Sequence, residues 1–329
     1  MSSAYYPILS LGIRLLLVNR LQKALQIWQK EQLFLQSQQS KETACTIFAS
    51  NPPLGEHLKF AFPSEIPLNR VKAHTQISYV SAIALKLAGQ RSRTEEAMSI
   101  ALGIREAWER MVAIESQKNT LAALDKIWQT TTVQVDSLGG IYLELTEQGL
   151  AEWLHILAHP QTYCNNLDQS TSIVAKNAPC IRDSTSKFHI CYVHARCCSL
   201  LRSAVRDNLI DAHSYNFTLR EQNLIRFNLR HPAEQHLVSQ MVTVLDNLDN
   251  LASCNDVTVA QTPPALIWRS AQELSYSFEA FHKSCRIWGE VVQSDPQLAQ
   301  MRLGLVLITQ KILRSLLEEG LGIAAPVEL

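Results

Sequence analysis

The first third of the chain alternates apolar and polar residues with the period of an amphipathic helix. Between residues 8 and 36, Arg, Lys and Gln separate apolar positions that share one helical face: Leu11, Leu15, Leu16, Val18, Leu21, Ala24, Leu25 and Trp28. A second helix is predicted from Thr94 to about Val112, with Thr94 as its N-cap and acidic residues in its first turn. The stretch 79–88 (YVSAIALKLA) is also predicted to be helical.

Short alternating runs predict a small sheet in the same half of the chain. Two mixed apolar runs, 43–49 and 58–62, are bounded by prolines and are predicted to be strands. Two further runs, 131–136 and 141–145, lie on either side of Gly139-Gly140. Because a Gly-Gly pair suits the tight turn between antiparallel strands, these two runs predict a β-hairpin.

The same pattern divides the chain into two domains. A helix beginning after Thr146 and ending before Pro160 completes a small α+β domain over residues 1–160. Residues 161–186 show no period and are rich in Asn, Asp and Ser, which predicts a linker. From residue 187 to 329 the periodic segments are helical, at roughly 187–207, 219–229, 231–251, 265–293 and 297–319. The predicted fold is mainly α, with a short antiparallel sheet in the first domain and an all-α bundle in the second.

Composition favours a soluble protein with reduced cysteines and no general preference for nucleic acid. The 329 residues are 47% hydrophobic and carry 30 basic and 30 acidic side chains. Any contact with phosphate must therefore come from local placement of charge. The eight cysteines include no C-x-x-C pair, so we predict buried thiols, no metal site and no cofactor. The apolar start at 8–17 is interrupted by Arg14 and is too short to span a membrane, so we expect a cytoplasmic protein.

Three segments of the second half, in order, resemble one family. The run 192–202 (YVHARCCSLLR) resembles the pattern Y-A-H-A-R-I-C-S-L-L-R, and 277–287 (SFEAFHKSCRI) is similar to A-F-N-x-F-Y-x-x-C-R-V. Residues 301–326 follow the same family's closing pattern of a Leu-rich helix, a Gly-containing stretch and a proline. These patterns are typical of the C-terminal DALR anticodon-binding domain of arginyl-tRNA synthetases. The resemblance implies a helical bundle at 187–329 that contacts the anticodon arm of a tRNA.

The N-terminal half is similar to a second RNA-contacting part of the same enzymes. Residues 78–88 resemble the D-Y-x-x-N-x-A-x-x-L-A-K helix of their N-terminal additional domain, and Gly139-Gly140-Ile141 resembles its P-G-F-I-N segment. In the family this domain contacts the D-loop corner of tRNA. The enzymes place a Rossmann-type catalytic domain between the two parts, whereas here only residues 161–186 separate them. The resemblance therefore implies a binding protein that does not activate arginine.

One face of the helix at 188–206 carries residue types that bind single-stranded RNA. At about 100° per residue, six positions fall on this face: His189, Tyr192, Arg196, Ser199, Ser203 and Arg206. Tyr192 and His189 are suited to stack on an unpaired base, and Arg196 to contact a phosphate or a base edge. The alternative interpretation is an ordinary solvated helix face, and the family resemblance favours RNA. His194 lies on the apolar side and is assigned to the core.

The second resembling helix adds Lys283 and Arg286 as candidate RNA contacts. Phe278 and Phe281 share an apolar stripe and are predicted to be core residues. The predicted nucleic-acid-binding set is therefore His189, Tyr192, Arg196, Ser199, Arg206, Lys283 and Arg286.

Three positions depart from the family pattern in this second half. Glu279 occupies the place of an Asn, and His282 the place of the second aromatic residue. The chain ends Val-Glu-Leu where the family commonly has E-R-M. Because an acidic side chain repels phosphate, Glu279 weakens the prediction of anticodon recognition.

Two functions of different classes remain open. The first is a non-catalytic tRNA-binding module, with arginine tRNA as the first candidate ligand, serving a tRNA-modifying or other tRNA-acting enzyme. The second is a scaffold or regulatory subunit that binds a protein partner instead of RNA. An exposed positive surface around Arg196, Arg206, Lys283 and Arg286 would favour RNA. An exposed apolar patch would favour the protein partner.

Overall fold

The computed structural model describes residues 8–44, 66–71, 77–89, 94–117, 123–159, 184–213, 216–218, 227–252 and 264–329. These residues form two compact units. The α+β unit runs from Leu16 to Thr146, and the helical unit combines the residues before Leu16 with those from Glu147 onward. The helix at 147–158, which the sequence analysis assigned to the first domain, therefore groups with the helical unit. The domain boundaries at 160 and 187 stay a prediction.

The α+β unit consists of long helices and a four-stranded sheet. Its elements are α1 (Ile13–Ala44, whose first residues belong to the helical unit), β1 (Leu68–Val71), β2 (Ile77–Ser81), α2 (Ile83–Ala88), α3 (Thr94–Ser116), α4 (Ala123–Thr130), β3 (Thr131–Val135) and β4 (Ile141–Leu145). The strand order is β1-β2-β4-β3, and each neighbouring pair is antiparallel. The short antiparallel sheet predicted for this half is confirmed.

The prediction of a helix over 79–88 is wrong for its first residues, because 77–81 form a central strand. Ile77, Tyr79 and Ser81 are buried, whereas the side chains between them are half-buried. Tyr79 lies opposite Leu143 of β4. This period of two over five residues was hidden by the helical residues that follow, and helix α2 begins only at Ile83.

The predicted hairpin at 131–145 is confirmed, and its turn needs a glycine at position 139. Gly139 has φ 93, and a Cβ at this position would lie 2.8 Å from the carbonyl carbon of Ala97 on α3. The Asp136 carboxylate accepts hydrogen bonds from the backbone N–H groups of Leu138 and Gly140 at 2.9 and 2.7 Å. Of the other strand predictions, 43–49 begins inside α1, and the rest of it, like 58–62, lies outside the described residues.

The helical unit is a bundle with short additional elements. It contains a 3-10 turn (Ile8–Ser10), α5 (Glu147–Ala158), α6 (Ser184–Arg206), β5 (Asp211–His213), β6 (Asn216–Thr218), α7 (Pro232–Ala252), α8 (Pro264–Ser284), α9 (Glu290–Ser294), α10 (Pro296–Ser315) and a π-helical turn (Leu316–Gly320). The most heavily buried helix is α10, with an unbroken buried run at 301–310. Among the described helices, none is both long and apolar enough to cross a membrane.

Two details of the bundle differ from the sequence prediction. Residues 211–213 and 216–218 form a two-stranded antiparallel ladder in a region predicted to be all-α. The single helix predicted at 265–293 is divided into α8 and α9 by the non-helical residues 285–289, the last of which, Gly289, takes φ 78. Part of the helix predicted at 219–229 lies outside the described residues, and 227–229 are not helical.

A buried ion pair joins α7, α10 and the segment after α8. Glu234 is fully buried, and its Oε1 accepts from Arg302 Nε at 2.7 Å. Its Oε2 accepts from the backbone N–H groups of Arg230 and His231, both at 2.9 Å, which caps the start of α7. The Arg302 guanidinium also donates to the carbonyl oxygen of Arg286. The pair therefore fixes the backbone that carries one predicted RNA contact.

His194 is buried as predicted, and it also makes specific polar contacts. Its Nδ1 lies 2.8 Å from the carbonyl oxygen of Pro326, so Nδ1 carries the proton and donates. Nε2 then accepts from Gln310 Nε2 at 3.0 Å. Burial lowers the pKa of His194, which favours this neutral form. The contact fixes the C-terminal segment against α6, where Arg202 also donates to the carbonyl oxygen of Val327 at 3.2 Å.

Candidate nucleic-acid interface

Helices α6 and α8 lie side by side and run in the same direction. Near the N-terminal end of α6, Ser186 Oγ accepts a hydrogen bond from Gln272 Nε2 of α8 at 3.4 Å. Further along, the ring of His189 lies 4.7 Å from that of Tyr276. This register places one row of side chains from each helix along a shared surface. We call it the α6–α8 face, formed by Phe188, His189, Tyr192 and Arg196 of α6 and Tyr276, Glu279, His282 and Lys283 of α8.

The N-terminal end of the α6–α8 face is aromatic and open to solvent. Phe188 is 61% exposed, Tyr192 46% and Tyr276 55%. The rings of Phe188 and Tyr192 are nearly parallel, 19° apart, with centroids separated by 6.4 Å. Large aromatic side chains are normally at least partly buried, so three exposed ones on two adjacent helices form a surface able to stack on flat ligands.

An ion pair lies within this aromatic end. His189 Nε2 is 3.1 Å from Glu279 Oε2, and the imidazole is tilted by 31° against the ring of Tyr276. The acidic residue that the sequence analysis counted against phosphate binding therefore has a basic partner, whose charge depends on protonation. The Glu279 side chain is 46% exposed, and the contact is not a hydrogen bond, since neither ring nitrogen of His189 has a hydrogen-bond partner within the described residues.

The C-terminal end of the α6–α8 face is cationic. Arg196 and Lys283 are both exposed. Burial lowers the pKa of His282, and the nearby positive charge of Arg196 lowers it further. His282 is therefore neutral at pH 7, and the positive charge at this end comes from Arg196 and Lys283.

Arg206 and Arg286 lie beyond this face, at the end of α6. Both are exposed, and Arg206 donates to Ser203 Oγ at 3.1 Å within its own helix. Trp288 Nε1 donates to the Asp207 carboxylate at 2.8 Å, which joins the segment after α8 to the end of α6. Arg206 and Arg286 are thus neighbours in sequence of the two residues of the Trp288–Asp207 contact. Arg206 is about 15 Å from Arg196 along the helix axis. Ser199 is half-buried between the two positions.

Among the described residues, the predicted cations Arg196, Arg206, Lys283 and Arg286 differ from five arginines of the bundle in having no acidic partner. Ion pairs are formed by Arg202, Arg230, Arg269, Arg302 and Arg314. Within the described residues, no carboxylate pairs with Arg196, Arg206, Lys283 or Arg286. These four charges are therefore available to an external anion, although the chain as a whole is neutral.

The structure also adds residues that the sequence analysis did not select. Phe188 and Tyr276 complete the aromatic end, yet neither was among the candidates. Phe188 precedes Tyr192 by one helical turn, and Tyr276 precedes Glu279 by three residues, so helical spacing within each segment contained a signal. The sequence did not show the register between α6 and α8 that brings Phe188 and Tyr276 onto the same face.

Comparison with known proteins shows what the second half of the chain is similar to. Residues 190–329 match the family described as the DALR anticodon binding domain. The resemblance found in the sequence of this half is confirmed. No solved structure matches the chain at a significant level.

The relatives in which this domain occurs are arginine–tRNA ligases. The chain is 31% identical over 138 residues to the enzyme of Synechococcus sp. and 32% identical over 139 residues to that of Moorella thermoacetica. It is 30% identical over 139 residues to the enzyme of Heliobacterium modesticaldum. Each match covers 42% of this chain but only 21–22% of the ligase. The chain therefore shares about a fifth of the length of these relatives.

Proposed function

We propose that this protein is a non-catalytic tRNA-binding protein that contacts an anticodon arm through the α6–α8 face. The observation that carries the proposal is the combination, on one face of the matched domain, of exposed aromatic rings and cations that have no acidic partner among the described residues. Arginine tRNA is the first candidate ligand because the relatives are arginine–tRNA ligases.

The aromatic end supplies the affinity for unpaired bases. Tyr192 and Tyr276 are about half exposed, so each offers a ring to a base while staying anchored to its helix. Stacking of a base on an aromatic side chain contributes about 1–3 kcal/mol. Anticodon loops display unpaired bases, whereas a regular duplex does not, so this end favours a loop over a generic helix.

The cationic end supplies the contact with the backbone. Arg196 and Lys283 lie beside the aromatic end, so one nucleotide is able to stack while a neighbouring phosphate is neutralised. Such contacts release counterions, and each phosphate contact on a single strand contributes about −0.7 to the slope of log K against log salt. Arg206 and Arg286, further along, extend the positive track.

A role beside a separate enzyme is supported by the part of the family that is matched. The match is to an anticodon-binding domain and covers residues 190–329. The α+β unit, by its resemblance to the additional domain, would hold the D-loop corner. Together the two units would present the tRNA to another tRNA-acting enzyme in the cytoplasm.

The second candidate function, a scaffold for a protein partner, is favoured by one observation on the α+β unit. Leu33, Phe34 and Leu35 are consecutive on α1 and are 61%, 62% and 52% exposed. Consecutive exposed apolar residues are unusual on a soluble helix and are typical of interaction surfaces. This surface and the α6–α8 face lie on different units, so one protein could use both.

The test is a titration of the full chain with total tRNA and then with arginine tRNA at two salt concentrations. Tyr192→Ala and Arg196→Ala are compared with Arg269→Ala, which removes an exposed arginine that is paired with Glu273. We expect saturable binding that weakens with salt. Tyr192→Ala is expected to weaken it about 5- to 150-fold, and Arg196→Ala to reduce the magnitude of the salt slope by about 0.7. Arg269→Ala should bind like the parent.

The contrary results separate the two candidates. Binding no tighter than to a duplex RNA control would refute the tRNA-binding function and leave the protein partner. Tight binding that Tyr192→Ala and Arg196→Ala leave unchanged would locate tRNA binding elsewhere on the molecule.

A further inference from the structure

Helix α1 carries an exposed stripe of cations and apolar side chains that is separate from the α6–α8 face. Lys23 and Lys30 are exposed, and Leu33, Phe34 and Leu35 follow one turn later. At about 100° and 1.5 Å per residue, Lys23, Lys30 and Phe34 lie within about 40° of one another over about 17 Å of helix. We call these five residues the α1 stripe. All of them belong to the α+β unit.

The apolar end of the α1 stripe lies in water although its backbone is helical. Helix α1 continues to Ala44, and Trp28 is still 6% exposed, whereas Leu33, Phe34 and Leu35 are 61%, 62% and 52% exposed. Three consecutive apolar residues in contact with solvent favour association and are avoided on helices unless they serve a function. This end of the stripe is therefore suited to be covered by another apolar surface.

The other end of the α1 stripe presents positive charge. Glu31 is the only acidic residue in the sequence between positions 13 and 41, and its Oε2 accepts from an Arg110 guanidinium nitrogen at 2.6 Å. Neither Lys23 nor Lys30 forms an ion pair with any residue that the structure describes. The stripe is thus complementary to a surface that combines apolar groups with carboxylates.

We infer that the α1 stripe binds an acidic amphipathic helix of a protein partner. The partner's apolar side chains cover Phe34 and its two neighbours, and its carboxylates face Lys23 and Lys30. These lysines are seven residues, or about two turns, apart, so carboxylates at the same spacing on one side of a helix meet both. The inference rests on the second candidate function, the protein partner, and is independent of tRNA binding by the α6–α8 face.

The composition of the stripe favours this partner over RNA and over a second copy of the chain. Leu33 and Leu35 are aliphatic and offer no ring on which a base could stack, and two lysines neutralise few phosphates. A second copy would bring the same two lysines, while its Glu31 carboxylate is already bound by Arg110. An acidic and apolar surface on a different protein fits both ends of the stripe.

The experiment titrates two fluorescent helical peptides of about 18 residues with the full chain and measures anisotropy. The peptides share their apolar positions, and the polar positions are Glu in one and Lys in the other. We expect the Glu peptide to bind about tenfold more tightly than the Lys peptide. Phe34→Gln should weaken binding of the Glu peptide by about tenfold. Ile114→Gln removes a similarly exposed apolar side chain, 64% exposed on α3, and should leave binding unchanged.

A second pair of variants tests the charges. Lys23→Gln combined with Lys30→Gln should abolish the preference for the Glu peptide, because these charges set it. Lys86→Gln combined with Lys187→Gln removes two exposed lysines elsewhere and should keep the preference. Thermal unfolding of each variant checks that the fold is retained. Binding of tRNA, measured in parallel, should not change in Phe34→Gln.

Several outcomes would overturn the inference. These are equal binding of the two peptides, binding of neither, or binding of the Glu peptide that Tyr192→Ala weakens and Phe34→Gln does not. A dimer in analytical ultracentrifugation that Phe34→Gln converts to a monomer would assign the stripe to a second copy. Loss of tRNA binding in Phe34→Gln would assign it to RNA. If the parent binds no tRNA but the peptide results are as expected, only the proposed tRNA-binding function falls.

Discussion

Removing the charge of Glu234 tests how strongly the buried ion pair supports the bundle. Glu234 is fully buried and the Arg302 side chain is 11% exposed, so neither charge is solvated when its partner is lost. In Glu234→Gln, the amide oxygen would still accept from the start of α7, but the amide nitrogen would then face the Arg302 Nε–H at a place where the contact is 2.7 Å. Breaking a buried pair in this way costs about 3–5 kcal/mol.

The assay is urea unfolding followed by circular dichroism. With a slope of about 2–3 kcal/mol per molar urea, the expected loss moves the midpoint down by about 1–2.5 M. Glu318→Gln is the control, because Glu318 pairs with Arg314 in a partly solvated i,i+4 contact that contributes about 0.3–0.5 kcal/mol. A loss of less than about 1 kcal/mol in Glu234→Gln would refute the reasoning.

A double-mutant cycle separates the charge from the packing. Arg302→Met alone leaves the Glu234 carboxylate buried without its cation, whereas Glu234→Leu combined with Arg302→Met leaves no buried charge. The double variant should therefore lose less stability than the sum of the two single variants. Additive losses would mean that the two side chains act independently, contrary to their geometry.

Two further predictions concern Lys311 and Gly139. Burial lowers the pKa of Lys311 from 10.5 to about 8, so between these pH values the unfolded chain binds more protons and the folded protein gains stability as pH rises. The unfolding free energy of the parent minus that of Lys311→Met, measured by urea unfolding, should rise from pH 8 to 10.5. A difference that stays constant over this pH range would contradict the reasoning. Gly139→Ala should lower stability by about 1–3 kcal/mol, measured by thermal unfolding, since it combines a positive φ with a clash against Ala97. Gly89→Ala, with φ 78 but nothing within 4 Å, should cost less, and equal losses would refute the clash.

Much of the helical architecture could be predicted from periodicity, because a helix repeats its apolar face over many residues. The buried positions of Phe278, Phe281 and His194 followed from their place on an apolar stripe. The strand at 77–81 could not be recognised, since five alternating residues adjoin a helical run. The break at 285–289 was missed because its one glycine, Gly289, is an uncertain signal within a helical pattern.

The candidate site was predictable only within each helix. The face of α6 with Tyr192 and Arg196 follows from the helical period, and the structure shows both residues exposed. The contacts of His189 with Tyr276 and Glu279 depend on the register between two helices far apart in the sequence. Periodicity within one helix carries no information on that register. The sequence therefore could not show that Glu279, which was expected to repel phosphate, lies beside His189 on the α6–α8 face.

A ribonuclease footprint of the full chain on arginine tRNA would show whether the α6–α8 face binds an anticodon arm. We expect protection of the anticodon loop, lost when Arg196 and Lys283 are both replaced by Ala and retained in Arg269→Ala. Because the α+β unit is proposed to hold the D-loop corner, protection there should persist in the double variant. An anticodon loop that stays fully accessible at saturating protein would refute tRNA binding through the α6–α8 face.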